Sequence, residues 1–344
     1  MATLYVTEPG SCLEREYGRI IITQENEVLD AVPIRKLEDV VLFGNVGVTT
    51  PALHLLLENG VNLCFLSRNG KVRGILKSYM KPQSELIPNQ YFLTQSESFR
   101  IAFSKQIVIG KLSNYRVFLK RLLRRKLNFQ NQLDEEETER ILNSPTLLDQ
   151  IKKKVRKASS IDELMGLEGL GSKTYFSVFF KAFSVASGLV INKRQKRPPK
   201  DPINAMLSLG YTLLSQSILS AIFISRLDPF LGFFHANKPG RPALALDLME
   251  EFRSVIVDSL VLTLINKRII QKHDFVQDQN GAIRFGKRGI KVFIKQYQKR
   301  IDTEIWCPRE GRKISYRKVF ENQARSLSRI IDGSEATYLP HRWK

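Results

Sequence analysis

Short runs of aliphatic and β-branched residues recur through the first 80 residues of the chain. Gly, Asn and Pro separate these runs, and this spacing is typical of short strands joined by turns. One helix interrupts them; it begins at Thr50-Pro51, where Thr can cap and Pro fits the first turn, and continues to Leu57. The predicted strands are Leu4 to Val6, Arg19 to Thr23, Val28 to Pro33, Val40 to Phe43, Asn62 to Leu66 and Val72 to Ile75.

Longer amphipathic patterns begin after a Pro-containing segment near residues 81–88 and indicate helices. The pattern predicts an α+β protein: a small β-rich N-terminal domain at residues 1–85, a linker at 86–95 and a larger, mostly α-helical C-terminal domain at 96–344. The main signals in the second domain are capping boxes at Thr94 to Glu97 and Ser160 to Glu163, a helix from Phe99 to Leu127, a helix start at Asp201-Pro202, a single hairpin at Asn280-Gly281, and helices over Ile290 to Tyr297 and Tyr316 to Ile331.

Charge is distributed unevenly between these two parts. The chain has 344 residues with 54 Lys and Arg against 34 Asp and Glu, yet residues 1–85 hold only nine basic and ten acidic residues. The excess therefore falls in the helical part, in clusters at Lys120-Arg121, Arg124 to Lys126, Lys152 to Lys157 and Lys193 to Lys200. This distribution favours a nucleic-acid partner. We expect the Pro-rich stretch Lys193 to Lys200 to be either a DNA-contacting loop or a plain surface loop.

The cysteines and the longest apolar segment argue against secretion and against a membrane span. Cys12, Cys64 and Cys307 lack the paired spacing of a disulfide framework or a zinc site, which favours a reducing cytoplasm. Residues 202–225 carry no charge, but they include Asn204, Gln216 and several serines, so we predict a buried core helix.

An acidic row follows a loop histidine, His235. At about 100° per residue the row forms one stripe of a helix, and Arg253 lies off that stripe. Such a row is usually a solvated face, but in so basic a chain an unpaired acidic row predicts a bound cation. The stripe consists of Ala243, Asp247, Glu250, Glu251, Ser254 and Asp258.

The segment Gly169-Leu170-Gly171 admits two interpretations. It resembles a helix-hairpin-helix turn that binds a DNA phosphate through backbone N–H groups, with Lys173 adding charge. However, Glu168 would then lie beside the phosphate, which is unfavourable unless a metal lies between them. Glu168, His235, Asp247 and Glu250 together make a ligand set suited to Mg²⁺ or Mn²⁺ at a phosphodiester.

Four motifs occur in an order that resembles the CRISPR-associated adaptation endonuclease and integrase family, Cas one. They are Leu167-Glu168-Gly169, Asp201 to Ser208 with Tyr211, Gly232 to His235, and Leu246 to Arg253. The resemblance covers essentially the whole chain, including the β-rich part, the linker and the helical part.

The resemblance implies a metal-dependent DNA endonuclease and integrase in which Glu168, His235 and Asp247 bind Mg²⁺ or Mn²⁺. It places Glu250 one turn beyond Asp247, either as a further ligand or as a partner of the ligands. It also implies double-stranded DNA partners (the protospacer and the CRISPR repeat and leader), a homodimer formed through the β-rich domain, and a small second adaptation protein, Cas two.

Two other functional classes are consistent with the residues alone. One is a non-catalytic DNA-binding protein that uses the Gly169 to Gly171 turn and the basic helices. The other is a purely structural partner in a DNA-processing complex. Replacement of Glu168 separates them, because only the integrase requires this carboxylate for cutting and joining while DNA binding persists.

Overall fold

A β-rich part precedes a mostly helical part, as the sequence predicts. The computed structural model describes residues 2–25, 27–67, 72–78, 85–124, 135–183, 189, 191, 194 and 199–343. The strands are β1 Ala2–Val6, β2 Cys12–Glu16, β3 Arg19–Gln24, β4 Glu27–Pro33, β5 Leu37–Phe43, β6 Gly47–Val48, β7 Asn62–Leu66, β8 Val72–Leu76, β9 Phe275–Gln277, β10 Ile283–Phe285, β11 Glu304–Cys307 and β12 Arg312–Ser315. The α-helices are α1 Thr50–Glu58, α2 Leu86–Gln95, α3 Glu97–Arg124, α4 Glu135–Lys157, α5 Ile161–Phe179, α6 Pro202–Ile224, α7 Ala243–Met249, α8 Ser259–Asn266, α9 Lys287–Ile301 and α10 Tyr316–Ile331.

The N-terminal part consists of two four-stranded sheets that share one apolar core. The first has the order β1-β5-β7-β8, with β1, β5 and β7 parallel, and the second has the order β4-β3-β2-β6. Helix α1 lies in the connection that parallel β5 and β7 require. The predicted helix start near Thr50-Pro51 is confirmed, with Pro51 in the first turn, but the cap is Thr49, whose hydroxyl accepts from the Ala52 N–H, rather than Thr50.

The first sheet packs directly against the helical part. An apolar cluster joins Val41, Phe43 and Leu66 of the sheet to Ile224 at the end of α6. Around it, the Tyr5 hydroxyl donates to Glu321 at 2.5 Å, and Arg325 lies 3.2 Å from Asp39. Helices α6 and α10 therefore contact both the sheet and the helical core.

The helical part packs around α3, which contacts α4 and α5 along one length and the segment after α7 along another. Helix α6, the uncharged segment, is the one helix among the described residues that is long and apolar enough to cross a membrane. Its residues Leu207, Gly210, Leu214 and Ile218 are buried within the protein. The structure thus places this segment in the core.

Several predicted boundaries differ from the structure. Residues 86–95, predicted as a linker, form α2, because Leu86, Gln90 and Thr94 are buried against neighbouring elements. Helix α3 begins at Glu97 with the Ser96 hydroxyl accepting from Phe99 N–H, so Thr94 is not its cap. A second hairpin, β11 and β12, accompanies the predicted one.

The predicted turn at Gly169 to Gly171 is wrong. Helix α5 is capped by Ser160, whose hydroxyl accepts from Glu163 N–H, begins at Ile161 and continues without interruption through both glycines to Phe179. Gly171 lies where α5 approaches α3, and a Cβ there would lie 2.2 Å from a methyl group of Leu112. This glycine permits close helix packing rather than a bend.

We expect Gly210→Ala to destabilise the protein by roughly 1–2 kcal/mol. A Cβ at Gly210 would lie 2.5 Å from Cγ1 of the β-branched residue Val257, and such overpacking outweighs the gain of up to about 1 kcal/mol in helix propensity. Gly169→Ala is the control, because no atom lies within 4 Å of its Cβ and only the propensity gain applies. Urea unfolding measures both; equal or greater stability of Gly210→Ala would contradict the packing argument.

Candidate metal and catalytic centre

The candidate residues come from four elements that meet beside α3. Glu168 lies in α5, His235 in the loop between α6 and α7, and Asp247 in α7. After Met249 the backbone forms a 3₁₀ turn, Glu250–Phe252, and then a π-helical segment, Arg253–Asp258. These changes of helix type redirect the side chains of the acidic row.

Asp247 holds in place the loop between α6 and α7 that carries His235, the histidine loop. Its fully buried carboxylate accepts from the backbone N–H groups of Phe233 (2.7 Å) and Phe234 (3.0 Å) through Oδ2, and from that of His235 (2.8 Å) through Oδ1. The ring Nδ1 of His235 lies 2.7 Å from the same Oδ1. A carboxylate acceptor requires the proton on Nδ1, so in the neutral ring the lone pair is on Nε2, and this tautomer can bind a metal through Nε2.

The loop can approach Asp247 this closely only because residue 232 is glycine. A Cβ at Gly232 would lie 2.7 Å from Ala243 and 2.9 Å from Oδ2 of Asp247. The Gly232 N–H donates to the side chain of Asn237 (2.9 Å), and Nε of Arg100 in α3 donates to the Phe233 carbonyl (3.2 Å). Both ends of the histidine loop are therefore fixed.

Glu250 lies between two cations in the protein interior. Its Oε1 is 2.8 Å from Arg253, and its Oε2 is 2.6 Å from the Lys111 ammonium. Burial alone would raise the pKa of Glu250, but the charges of Arg253 and Lys111 outweigh burial and hold the pKa at about 2. Oε1 also lies 3.9 Å from Nε2 of His235.

Glu168 joins this group through Lys111. The ammonium contacts Oε1 of Glu168, which also accepts from the Ser172 hydroxyl one turn later in α5 (2.8 Å). The Glu168 side chain keeps 23% of its surface exposed, whereas the side chains of Lys111 and Glu250 keep only 5%. Glu168 thus lies at the solvent side of the group.

The remaining acids of the row, Glu251 and Asp258, have partners away from Glu250. The prediction of an unpaired acidic row is therefore wrong. The expectation that Arg253 lies apart from the row is also wrong, because Arg253 pairs with Glu250. Glu251 accepts from the Tyr338 hydroxyl (2.5 Å) and from the His341 N–H in the C-terminal tail, and burial raises its pKa to about 7. Asp258 accepts from the hydroxyls of Tyr175 (2.9 Å) and Tyr211 (2.6 Å). All the row's acids are buried and partnered.

Aromatic rings connect the two ends of this polar network. The guanidinium of Arg253 lies 4.7 Å from the ring centroid of Tyr211, and the rings of Tyr175 and Tyr115 stack at 3.8 Å. The Lys111 ammonium lies 5.4 Å from the Tyr115 ring. Asp258 belongs to the predicted acidic stripe, whereas Lys111 and Tyr175 were not among the residues predicted from the sequence; a lysine within the apolar run 107–112 of α3 was the available signal for Lys111.

The other family-matched residue, Asn204, has a local structural role. It lies in the first turn of α6, where its backbone N–H and side-chain amide both donate to the capping carboxylate of Asp201, at 2.7 and 2.6 Å. Its side-chain oxygen accepts from Arg194 at 2.7 Å. Asn204 therefore stabilises the start of α6.

The donor set is compatible with a divalent cation. Among the described residues no three His, Cys, Asp or Glu side chains gather at ligand distance around one point. Lys111 accounts for this, because its ammonium lies between the carboxylates of Glu168 and Glu250. The 3.9 Å separation of His235 Nε2 and Glu250 Oε1 falls in the range of about 3–4 Å expected for two ligands of one ion with bonds of about 2.1 Å. Among the described residues, the four hydrogen bonds to Asp247 all come from the histidine loop, so this carboxylate orients His235.

Comparisons with known proteins agree in pointing to one family. Residues 4–299 match the family described as CRISPR associated protein Cas1. The chain is 33% identical over 343 residues to the CRISPR-associated endonuclease Cas1 1 of Chlorobaculum tepidum, covering 99% of this chain and 98% of that one.

Two solved structures share the fold over nearly the whole chain. A casposase bound to an integration product has a TM-score of 0.80 at 21% identity, covering 99% of this chain and 98% of that one. A partial Cas6-RT-Cas1–Cas2 complex has a TM-score of 0.80 at 24% identity, covering 100% of this chain and 99% of that one. At these identities the likeness concerns the fold.

We expect stability to fall between about pH 4 and pH 6 because of Asp258. Burial raises its pKa to about 6 although Tyr211, Tyr175 and Arg253 oppose the shift, so the folded state binds the proton more tightly than the unfolded state does. The contribution of the protonated Asp258 to the free energy of unfolding is fully present below pH 3.8, the pKa of this residue in the unfolded state. It is lost as pH rises through 6, a change on the order of 3 kcal/mol.

Urea unfolding from pH 4 to 8 tests this prediction with Asp258→Asn, in which that contribution is absent. The difference in unfolding free energy between the wild type and Asp258→Asn should change across this window and then level off. Asp162→Asn, at an exposed position in the first turn of α5, is the control. A pH-independent difference for Asp258→Asn would contradict the assignment.

Proposed function

Because this chain belongs to the CRISPR-associated Cas1 family, we propose that it is a metal-dependent DNA endonuclease and integrase that inserts protospacer DNA into the CRISPR array. The observation that carries the proposal is a group from three separate elements in which Lys111 joins Glu168 to Glu250 and Glu250 lies 3.9 Å from His235, whose ring is fixed by Asp247. A carboxylate and imidazole group in a chain with 54 Lys and Arg against 34 Asp and Glu suits phosphodiester chemistry.

Glu168, Glu250 and Nε2 of His235 are the proposed ligands of Mg²⁺ or Mn²⁺. This assignment revises the expected ligand set, because Asp247 engages the histidine loop through both oxygens while Glu250 faces His235 and Lys111. Asp247 then acts through His235, by fixing its tautomer and ring orientation. A divalent ion bound there would polarise a phosphate oxygen and lower the pKa of a coordinated hydroxyl.

The chain's own residues supply the positioning. Asp247 and the N–H groups of the loop keep the His235 ring facing Glu250, and Arg253 keeps the Glu250 carboxylate ionised. In strand transfer a DNA 3′-OH forms a new P–O bond, and the displaced strand leaves with a 3′-oxygen that takes up a proton. One phosphodiester replaces another, so the reaction needs no external energy source. With water as nucleophile the same site gives hydrolysis.

DNA would lie along basic helix surfaces. The last turns of α4 expose Lys153, Lys154, Arg156 and Lys157, whereas Lys152 pairs with Asp149 (2.7 Å). Such contacts bind the phosphate backbone and weaken steeply as salt rises. Residues 125–126 and most of the Lys193 to Lys200 cluster lie outside the described residues, so the role proposed for that loop stays a prediction.

The remaining partners are proposed from family membership. The β-rich domain pairs with its copy in a homodimer, and two dimers flank a dimer of the small second adaptation protein, Cas two, in the cytoplasm. The alternative of a non-catalytic DNA-binding module loses one of its two features, the turn, since Gly169 and Gly171 lie inside α5, and keeps only the basic helices.

We expect joining of a short duplex with free 3′-OH ends to supercoiled plasmid to require Mg²⁺ or Mn²⁺ and to stop with EDTA. Removing a ligand with Glu168→Ala, His235→Ala or Glu250→Ala should lower joining more than about 100-fold while salt-sensitive DNA binding persists. Glu139→Ala, at an exposed position in α4, is the control. The assay includes the small partner protein; metal-independent joining, or full activity of Glu168→Ala, would refute the proposal.

The revised role of Asp247 predicts a graded difference between two variants. Asp247→Asn leaves the proposed ligands in place but disturbs the orientation of His235, so Mn²⁺ affinity should fall about 10–100-fold. Glu250→Ala removes a ligand and should weaken binding further. Titration of free Mn²⁺ by electron paramagnetic resonance measures both, and a greater loss for Asp247→Asn would restore Asp247 as a direct ligand.

A further inference from the structure

Within the part of the chain that the structure describes, Lys111 is the one group that contacts the carboxylates of both Glu168 and Glu250. It projects from the buried side of α3, its side chain keeps 5% of its surface exposed, and its ammonium pairs with Glu168 of α5 and with Oε2 of Glu250 at 2.6 Å. Neither the acidic motifs nor the histidine loop includes it. Nevertheless it occupies the space between two of the three proposed ligands.

Charge balance explains why a cation is present at this point. Two ionised carboxylates cannot share a buried site without a neutralising charge, and a buried ammonium is equally unfavourable by itself. Arg253 neutralises Glu250 only on the Oε1 side, so Lys111 is the cation that serves Oε2 and Glu168 together.

We propose that Lys111 is a resident cation that assembles Glu168 and Glu250 before the ion binds and is displaced from them when the ion loads. This inference rests on the ligand set of the proposed function. Since ion and ammonium compete for the same oxygens, the measured affinity for the ion is lower than the ligands alone would give. The same contact keeps the ion-free protein folded with its ligands close together.

Lys111→Met tests the competition because it keeps an unbranched side chain, one atom shorter, and removes the charge. At pH 8, where carboxylate protonation competes little, Mn²⁺ should bind Lys111→Met at least about tenfold more tightly than the wild type. The melting temperature without ion should fall, and Mn²⁺ should raise it more in Lys111→Met than in the wild type. Signal from other Mn²⁺ sites is subtracted with Glu250→Ala.

Two further variants separate this role from a merely structural one. Lys152→Met removes a different ion-paired lysine, the partner of Asp149 in α4, and should leave Mn²⁺ affinity unchanged. Lys111→Met combined with Glu168→Gln removes the facing charges, so it should recover ion-free stability but lose the tighter binding. This double variant keeps the test informative if Lys111→Met alone folds poorly.

Unchanged or weaker Mn²⁺ binding by Lys111→Met overturns the inference. It is also overturned if neither the wild type nor Lys111→Met binds Mn²⁺. Its failure is distinguishable from failure of the proposed function. Metal-dependent strand transfer by the wild type together with unchanged affinity in Lys111→Met refutes only the role of Lys111. Tighter binding in Lys111→Met without strand transfer by the wild type supports the role of Lys111 and refutes the integrase assignment.

Discussion

The balance of buried charge around Glu250 is the constraint on which the helical part depends. A carboxylate with only 5% of its side chain exposed stays ionised because Lys111 and Arg253 approach its two oxygens from different elements. Removing one partner of such a group leaves an uncompensated buried charge, at a cost on the order of 3–5 kcal/mol. The ion pairs of Glu250 with Lys111 and Arg253 therefore hold α3 against the segment after α7.

The histidine loop likewise depends on a single buried carboxylate. Asp247 satisfies three backbone N–H groups and one ring nitrogen, so a single buried carboxylate fixes both the loop and the orientation of His235. Gly232 makes this approach sterically possible. The same carboxylate therefore sets both the shape of the loop and the tautomer of His235.

Changes of helix type explain why the acidic row serves several purposes. In a regular α-helix Asp247, Glu250, Glu251 and Asp258 would share a stripe, but the 3₁₀ turn and the π segment rotate successive side chains away from it. One carboxylate then orients a histidine, one faces the candidate ion site, and two are held by tyrosine hydroxyls from the C-terminal tail, α5 and α6.

The sequence by itself determined the succession of a β-rich part and a mostly helical part, the caps of α5 and α6, the burial of α6 and the family, because turn residues, hydrophobic period and motif order are local properties of the chain. It also singled out Glu168, His235, Asp247 and Glu250 as candidate site residues. It could not reveal that Gly169 and Gly171 lie inside a helix, because a glycine needed for close packing looks like a glycine needed for a turn until its neighbour Leu112 is in place. Only the tertiary structure decided which acid faces the site and which cation neutralises it, because Lys111, Glu168 and Glu250 meet through contacts between elements far apart in sequence.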